Sequence, residues 1–220
     1  MIAKETLDFL KKLDKNNDRD WFQANKKRFD SAQDNLTAFT DYLIGEAGRF
    51  DDAVATLDPK SCVFRIYRDV RFSKDKSPYK TNLGSYISPG GRKSMQPGYY
   101  FHIQPGQSFI AGGKHMPDGP ETLKIRNAIA NNTDEFLKIV EKKSFKEQFG
   151  EMRGEKLKSA PKGFDPEHKA LEYLKLKEFM AFRELNDDKV LTSAEFPKIL
   201  VKTMKEMYPL VAFLRKALLS

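Results

Sequence analysis

Between residues 62 and 111 the apolar residues alternate in short runs, while on both sides of that stretch they recur at helical spacing. Cys62, Phe64 and Ile66 alternate with Val63, Arg65 and Tyr67, which predicts a strand. Leu83, Ser85 and Ile87 predict another, and Tyr99–Gln104 and Gln107–Ala111 predict two more around the turn Pro105-Gly106. Strands this closely spaced leave no room for helical crossovers, so an antiparallel sheet is expected. Tyr99, Phe101 and Ile103 share one face; Tyr100, His102 and Gln104 share the other, more polar one. One face is therefore expected to carry helices and the other to be at least partly wet.

The flanks read as helices. Thr6 is placed to cap a helix carrying Leu7, Phe9, Leu10 and Leu13; Asn16-Asn17 ends it, and Asp18 caps the next. On that second helix Phe22, Phe29, Ala32, Leu36, Phe39 and Leu43 form one apolar stripe. After Gly112-Gly113 the positions Leu123, Ile125, Ile129, Phe136, Leu137 and Val140 describe two helices divided at Asn131-Asn132. Lys142 to Pro166 reads as charged and loop-rich. A last helix carries Leu200, Met204, Met207, Val211, Leu214 and Leu218, with Pro197 suited to its first turn and Pro209 expected to kink or divide it. Ser88 to Gly98, with Pro89, Gly90, Gly91, Pro97 and Gly98, reads as a mobile loop. No repeat, low-complexity tract or clear linker interrupts the chain. The expectation is one α+β domain over residues 1–220, with a short antiparallel sheet and N- and C-terminal helices packed on one face.

Composition narrows the function classes. The lone cysteine, Cys62, cannot form an internal disulfide; its absence of partners fits a reducing compartment, and its apolar neighbours predict a small buried hydrophobe. Lys4, Glu5 and Asp8 are unlike a signal peptide, and no run approaches the roughly 20 apolar residues of a membrane helix. A cytoplasmic protein without a membrane partner is expected. The formal charge of +8, from 39 Lys and Arg against 31 Asp and Glu, favours anionic surroundings.

Half of that excess sits in residues 65–80. Arg65, Arg68, Arg71, Lys74, Lys76 and Lys80 face only Asp69 and Asp75, leaving +4. Two acids cannot pair with six cations, so some cations must meet water, a distant acid or a ligand. Guanidinium groups bind phosphate and carboxylate bidentately, and the hydroxyls of Ser73, Ser77 and Thr81 can complete such a cradle. The other reading is an internal clasp, with Arg68 and Arg71 holding Asp69 while Lys74 and Lys76 straddle Asp75.

The run Arg68-Asp69-Val70-Arg71-Phe72-Ser73-Lys74-Asp75-Lys76-Ser77-Pro78-Tyr79-Lys80 resembles the signature of the family called domain of unknown function 2461. Further resemblance lies in Asn17-Asp18-Arg19-Asp20-Trp21-Phe22, in Tyr99-Tyr100-Phe101-His102-Ile103 with Gly112-Gly113, and in Leu157-Lys158-Ser159-Ala160-Pro161-Lys162-Gly163-Phe164. It covers nearly the whole chain. It implies a single-domain protein and brings no catalytic role to any residue.

Three functional expectations follow. The first is an anion-binding protein, its partner a phosphate-bearing small molecule or a nucleic acid. Arg65, Arg68, Arg71, Lys74, Lys76 and Lys80 would supply charge, and Tyr79, Gly112 and Gly113 would shape the site. The second is an enzyme using His102, Tyr67 or Asp69 for proton transfer. The third is a non-catalytic interaction module in which the 65–80 motif is an ion-pair clasp. Gly90-Gly91-Arg92-Lys93 lacks the spacing of a phosphate-binding P-loop. His102, His115 and His168 show no metal-ligand spacing, so no metal site is expected, and the sequence leaves any cofactor undetermined. Lys156, Lys158 and Lys162 form a second, lesser basic stretch.

Overall fold

The structure is a computed structural model and describes residues 1–219. Four strands, β1 (Leu83–Ile87), β2 (Gly98–Ile103), β3 (Phe109–Lys114) and β4 (Phe179–Glu184), form one antiparallel sheet in the order β1-β2-β3-β4. Helices precede the sheet: α1 (Lys4–Lys15), α2 (Arg19–Ala24), α3 (Lys26–Ala47) and the short α4 (Pro59–Cys62). Between β3 and β4 come α5 (Gly119–Asn131), α6 (Thr133–Val140), α7 (Lys143–Phe149) and α8 (Leu171–Leu174). The chain closes with α9 (Asp188–Leu191) and α10 (Phe196–Leu219). The fold is α+β, as the alternation of apolar residues predicts.

Packing groups the chain into two compact units. One comprises residues 1–94, 100–110 and 184–201; the other comprises 95–99, 111–183 and the chain from Lys202 onward. In the first, α1 lies along α3, and Phe39 of α3 meets Phe101 edge-on at 5.7 Å and stacks on Phe196 at 5.7 Å. In the second, Phe136 packs on Phe213 and Tyr173 at 5.3 and 5.2 Å, while Arg126 donates to the carbonyls of Leu174 and Leu176.

Several boundaries differ from the sequence reading, each for a local reason. The long second helix is two helices, because the Asn25 side chain donates to the Trp21 carbonyl at 2.9 Å and its backbone leaves helical geometry. Asp18 caps α2 as expected, accepting from Trp21 N at 2.8 Å. Thr6 is no cap: Ala3 holds that position. Asn35 from α3 accepts both Ala3 N and Thr6 Oγ1, so a tertiary partner does the capping. The strand expected over 62–67 is mostly absent. Asp58 accepts from Lys60 N at 3.1 Å and, with Pro59 in the first turn, starts α4; only the isolated bridges Val63–Ser85 and Tyr67–Tyr79 remain. The loop-rich stretch after Lys142 contains α7, with Phe145 and Phe149 buried. β4 was not legible in advance, and α10 continues through Pro209 undivided.

On β2 the expected two faces are clear. Tyr99, Phe101 and Ile103 are buried, while Tyr100, His102 and Gln104 are half-buried. Cys62 is fully buried, and burial pushes its thiol pKa up, which keeps it an unreactive packing group. The 88–98 segment is tied down rather than free. Arg92 donates to the Lys60 and Ser61 carbonyls at 2.8 and 3.0 Å. Lys114 Nζ donates to the Met95 carbonyl, and Arg215 Nε donates to the Pro97 carbonyl at 2.8 Å.

Candidate anion-binding loop

Residues 65–80 form a loop whose two ends pair. Arg68 N donates to the Pro78 carbonyl at 3.0 Å and Lys80 N to the Ile66 carbonyl at 2.8 Å, on either side of the Tyr67–Tyr79 bridge. Its closing residue is held from below. The Asn17 amide donates to the Tyr79 carbonyl at 2.9 Å and accepts from Tyr79 N at 3.1 Å, and Phe22 stacks on the Tyr79 ring at 3.9 Å. The two runs that resemble a family signature, 17–22 and 68–80, thus meet at Tyr79. Tyr79 is buried and serves as the keystone of the loop; burial and the nearby Tyr67 raise its pKa.

Inside the loop, both acids are spoken for. Asp75 accepts from Ser77 Oγ at 2.6 Å, from Ser77 N at 2.9 Å, and from Arg68; these three donors hold its carboxyl well below the ordinary carboxylate range. Arg68 also donates to the Ser77 carbonyl at 3.2 Å. Asp69 takes a two-pronged pair from Arg71, at 2.9 and 2.6 Å, which lowers its pKa likewise. The sequence reading assigned both arginines to Asp69; the structure gives each arginine its own acid. Lys76 Nζ donates to the Val70 carbonyl at 3.0 Å.

The remaining cations differ. Arg65 and Lys74 are exposed and, among the described residues, make no ion pair and donate no side-chain hydrogen bond. Lys80 is half-buried, with its ammonium donating to the Arg65 carbonyl at 3.1 Å and lying 5.6 Å from the Phe64 ring centre. Its pKa is lowered, first by desolvation and second by the like charge of Arg65. No carboxylate lies within ion-pair distance of Lys80 or Arg65 among the described residues. Lys80 and Arg65 are thus neighbouring cations without an ion-pair partner among the described residues, although Arg65 also feels the charge of Asp69 from beyond ion-pair distance.

The other expected site residues take structural positions. His102 has both ring nitrogens engaged: Nε2 donates to Gln104 Oε1 at 3.0 Å, so in the neutral ring Nδ1 accepts from the Tyr100 hydroxyl, also at 3.0 Å. Phe109 stacks on the imidazole at 4.6 Å, and burial lowers the His102 pKa while pushing that of Tyr100 up to about 12. Tyr67 packs on Phe22 and Tyr79, and no hydrogen bond links His102, Tyr67 and Asp69 among the described residues. Gly112 and Gly113 do permit close approach, but the protein uses it. Met207 covers Gly112, and a Cβ on Gly113, at φ +134°, would collide with the Phe179 carbonyl oxygen. Lys156 pairs with Glu172 at 3.0 Å. No three His, Cys, Asp or Glu side chains converge on a metal-sized site among the described residues.

Two residues that matter here were missing from the sequence-derived site. Asn17 lies 62 positions from its partner, and only the joint occurrence of the two motifs hints at it. Phe72 is 95% exposed at the loop tip, with the Arg71 guanidinium 5.8 Å from its ring centre. An aromatic residue amid loop cations was the available signal.

A family model described as "Conserved hypothetical protein (DUF2461)" matches residues 5–213. No curated protein matches the chain. No solved structure matches it either.

Proposed function

The chain belongs to the DUF2461 family, and we propose that in it the 65–80 loop binds a phosphate- or carboxylate-bearing ligand through Arg65 and Lys80. The observation that carries this reading is that Lys80 and Arg65 are neighbouring cations with no carboxylate at ion-pair distance, in a loop whose two acids are each held by another arginine. The clasp and the binding site are then one device. Arg68, Lys76, Asn17 and the Arg71 N–H bonded to Asp69 fix the backbone, and a fixed backbone limits the ordering cost of binding to the side chains. Lys74 adds charge toward the tip. The closed hydrogen-bond row Tyr100–His102–Gln104 does not favour the acid–base reading, because His102 has no nitrogen left for a ligand.

Calorimetric titration with inorganic phosphate, pyrophosphate and citrate at two salt concentrations tests the proposal. Saturable binding of at least one, weakening as salt rises, is the expected result. Absence of binding by all three at millimolar concentration contradicts it.

A further inference from the structure

We infer that the anion taken by this loop is the backbone of a single-stranded nucleic acid, with the exposed rings of Phe72 and Tyr67 as stacking surfaces for its bases; the inference rests on the anion-binding reading above. Exposed aromatic rings set it apart from a site for a small anion. Phe72 is 95% exposed and Tyr67 is 49% exposed, at the tip and at the stem of the same loop. Phe72 has a guanidinium near its ring. The Arg71 guanidinium lies 5.8 Å from the Phe72 ring centre and is held by its fork to Asp69, and the ring itself stays open to solvent. Arg65 lies two residues before Tyr67, across a bend at Ile66, and both are exposed at the stem of the loop.

A pyrophosphate or a carboxylate would engage the cations and leave both rings wet. A duplex would offer phosphates, but its bases are already stacked on each other. A single strand uses all the features, with phosphates on Arg65, Lys74 and Lys80 and unstacked bases on the rings, whatever their identity. An anionic bilayer touched by the tip would use Phe72 and Lys74 but leave out the stem, where Tyr67 is bridged to Tyr79 and Arg65 and Lys80 stand. A strand running along the loop reaches both ends.

The test uses fluorescence anisotropy with a 12-mer of thymidine, an abasic 12-mer of equal charge, and phosphatidylserine vesicles, with pyrophosphate binding measured alongside. The full chain is expected to prefer the thymidine strand over the abasic one by roughly five-fold or more. Phe72→Ala, a change at an exposed side chain that leaves the clasp intact, is expected to shrink that preference by a similar factor. Tyr67→Ala is expected to act in the same direction. Equal affinity for the two strands overturns the inference, as does pyrophosphate binding with no strand binding; in either case the anion site itself survives. Phe72-dependent vesicle binding without a base preference overturns it in favour of a lipid surface. No binding of pyrophosphate or of either strand removes both readings.

Discussion

The side-chain amide of Asn17 closes a two-way hydrogen-bond pair with the backbone of Tyr79, donating to its carbonyl and accepting from its N–H. The geometry admits only one amide orientation and no other side chain of that size. Asn17→Ala is expected to cost about 1–3 kcal/mol, the loss of two partly buried hydrogen bonds. Asn17→Asp keeps the acceptor but brings an oxygen against the Tyr79 carbonyl, so it should cost at least as much. Urea denaturation of both variants checks this; an Asn17→Asp protein as stable as the wild type would refute the pairing.

Gly112 and Gly113 should respond differently to one added methyl group. At Gly112 a Cβ would lie 2.7 Å from Met207 Sδ, which can turn, and 3.1 Å from Met207 Cβ, which must shift, so Gly112→Ala should cost about 1–2 kcal/mol. At Gly113 the obstacle is backbone and the φ of +134° already excludes most side chains, so Gly113→Ala should cost about 3 kcal/mol or prevent folding. Thermal denaturation separates the two. Ligand contact at these glycines would instead show as lost binding with intact stability.

His102 makes stability depend on pH in a definite direction. Burial lowers its folded pKa, while the unfolded chain keeps the ordinary 6.5. Between those values the unfolded chain takes up a proton that the folded protein refuses. Stability therefore falls as pH drops below about 6.5 and levels off below the folded value. Chemical denaturation at pH 7.5 and 5.5 should show a smaller difference for His102→Gln than for the wild type. An unchanged difference would place the titrating group elsewhere.

Arg68 and Arg65 should divide structure from binding. Arg68→Ala removes the donors to Asp75 and to the Ser77 carbonyl, so limited proteolysis should cut within residues 68–77 faster than in the wild type. Arg65→Ala removes an exposed, unpaired side chain, so its cleavage rate should match the wild type while anion affinity falls. Faster cleavage in both would make the loop a clasp alone.

Much of this was legible in the sequence, and the failures share one cause. Strands β1 to β3, the two-faced β2 and the cap at Asp18 follow from local pattern, because alternation and capping act over a few residues. The break at Asn25, the replacement of Thr6 by Ala3 as cap, and the loss of a strand at 62–67 depend on Asn25, Asn35 and Asp58 making particular hydrogen bonds. Counting charges in 65–80 showed that cations must be left over, but not which. Asp75 chooses Arg68 because Ser77 turns the chain back toward it, and Asn17 fixes the loop's end from a distant helix. The exposure of Phe72 depends on how the loop tip stands clear of the core, which local pattern does not reveal.

The most direct test is side-chain NMR of Arg65 Nε and Lys80 Nζ during a pyrophosphate titration. Saturable shifts of both signals with one common affinity are expected, while Arg71, committed to Asp69, stays nearly still. Shifts confined to other residues, or no movement at Arg65 and Lys80 under saturating pyrophosphate, would contradict anion binding at this pair.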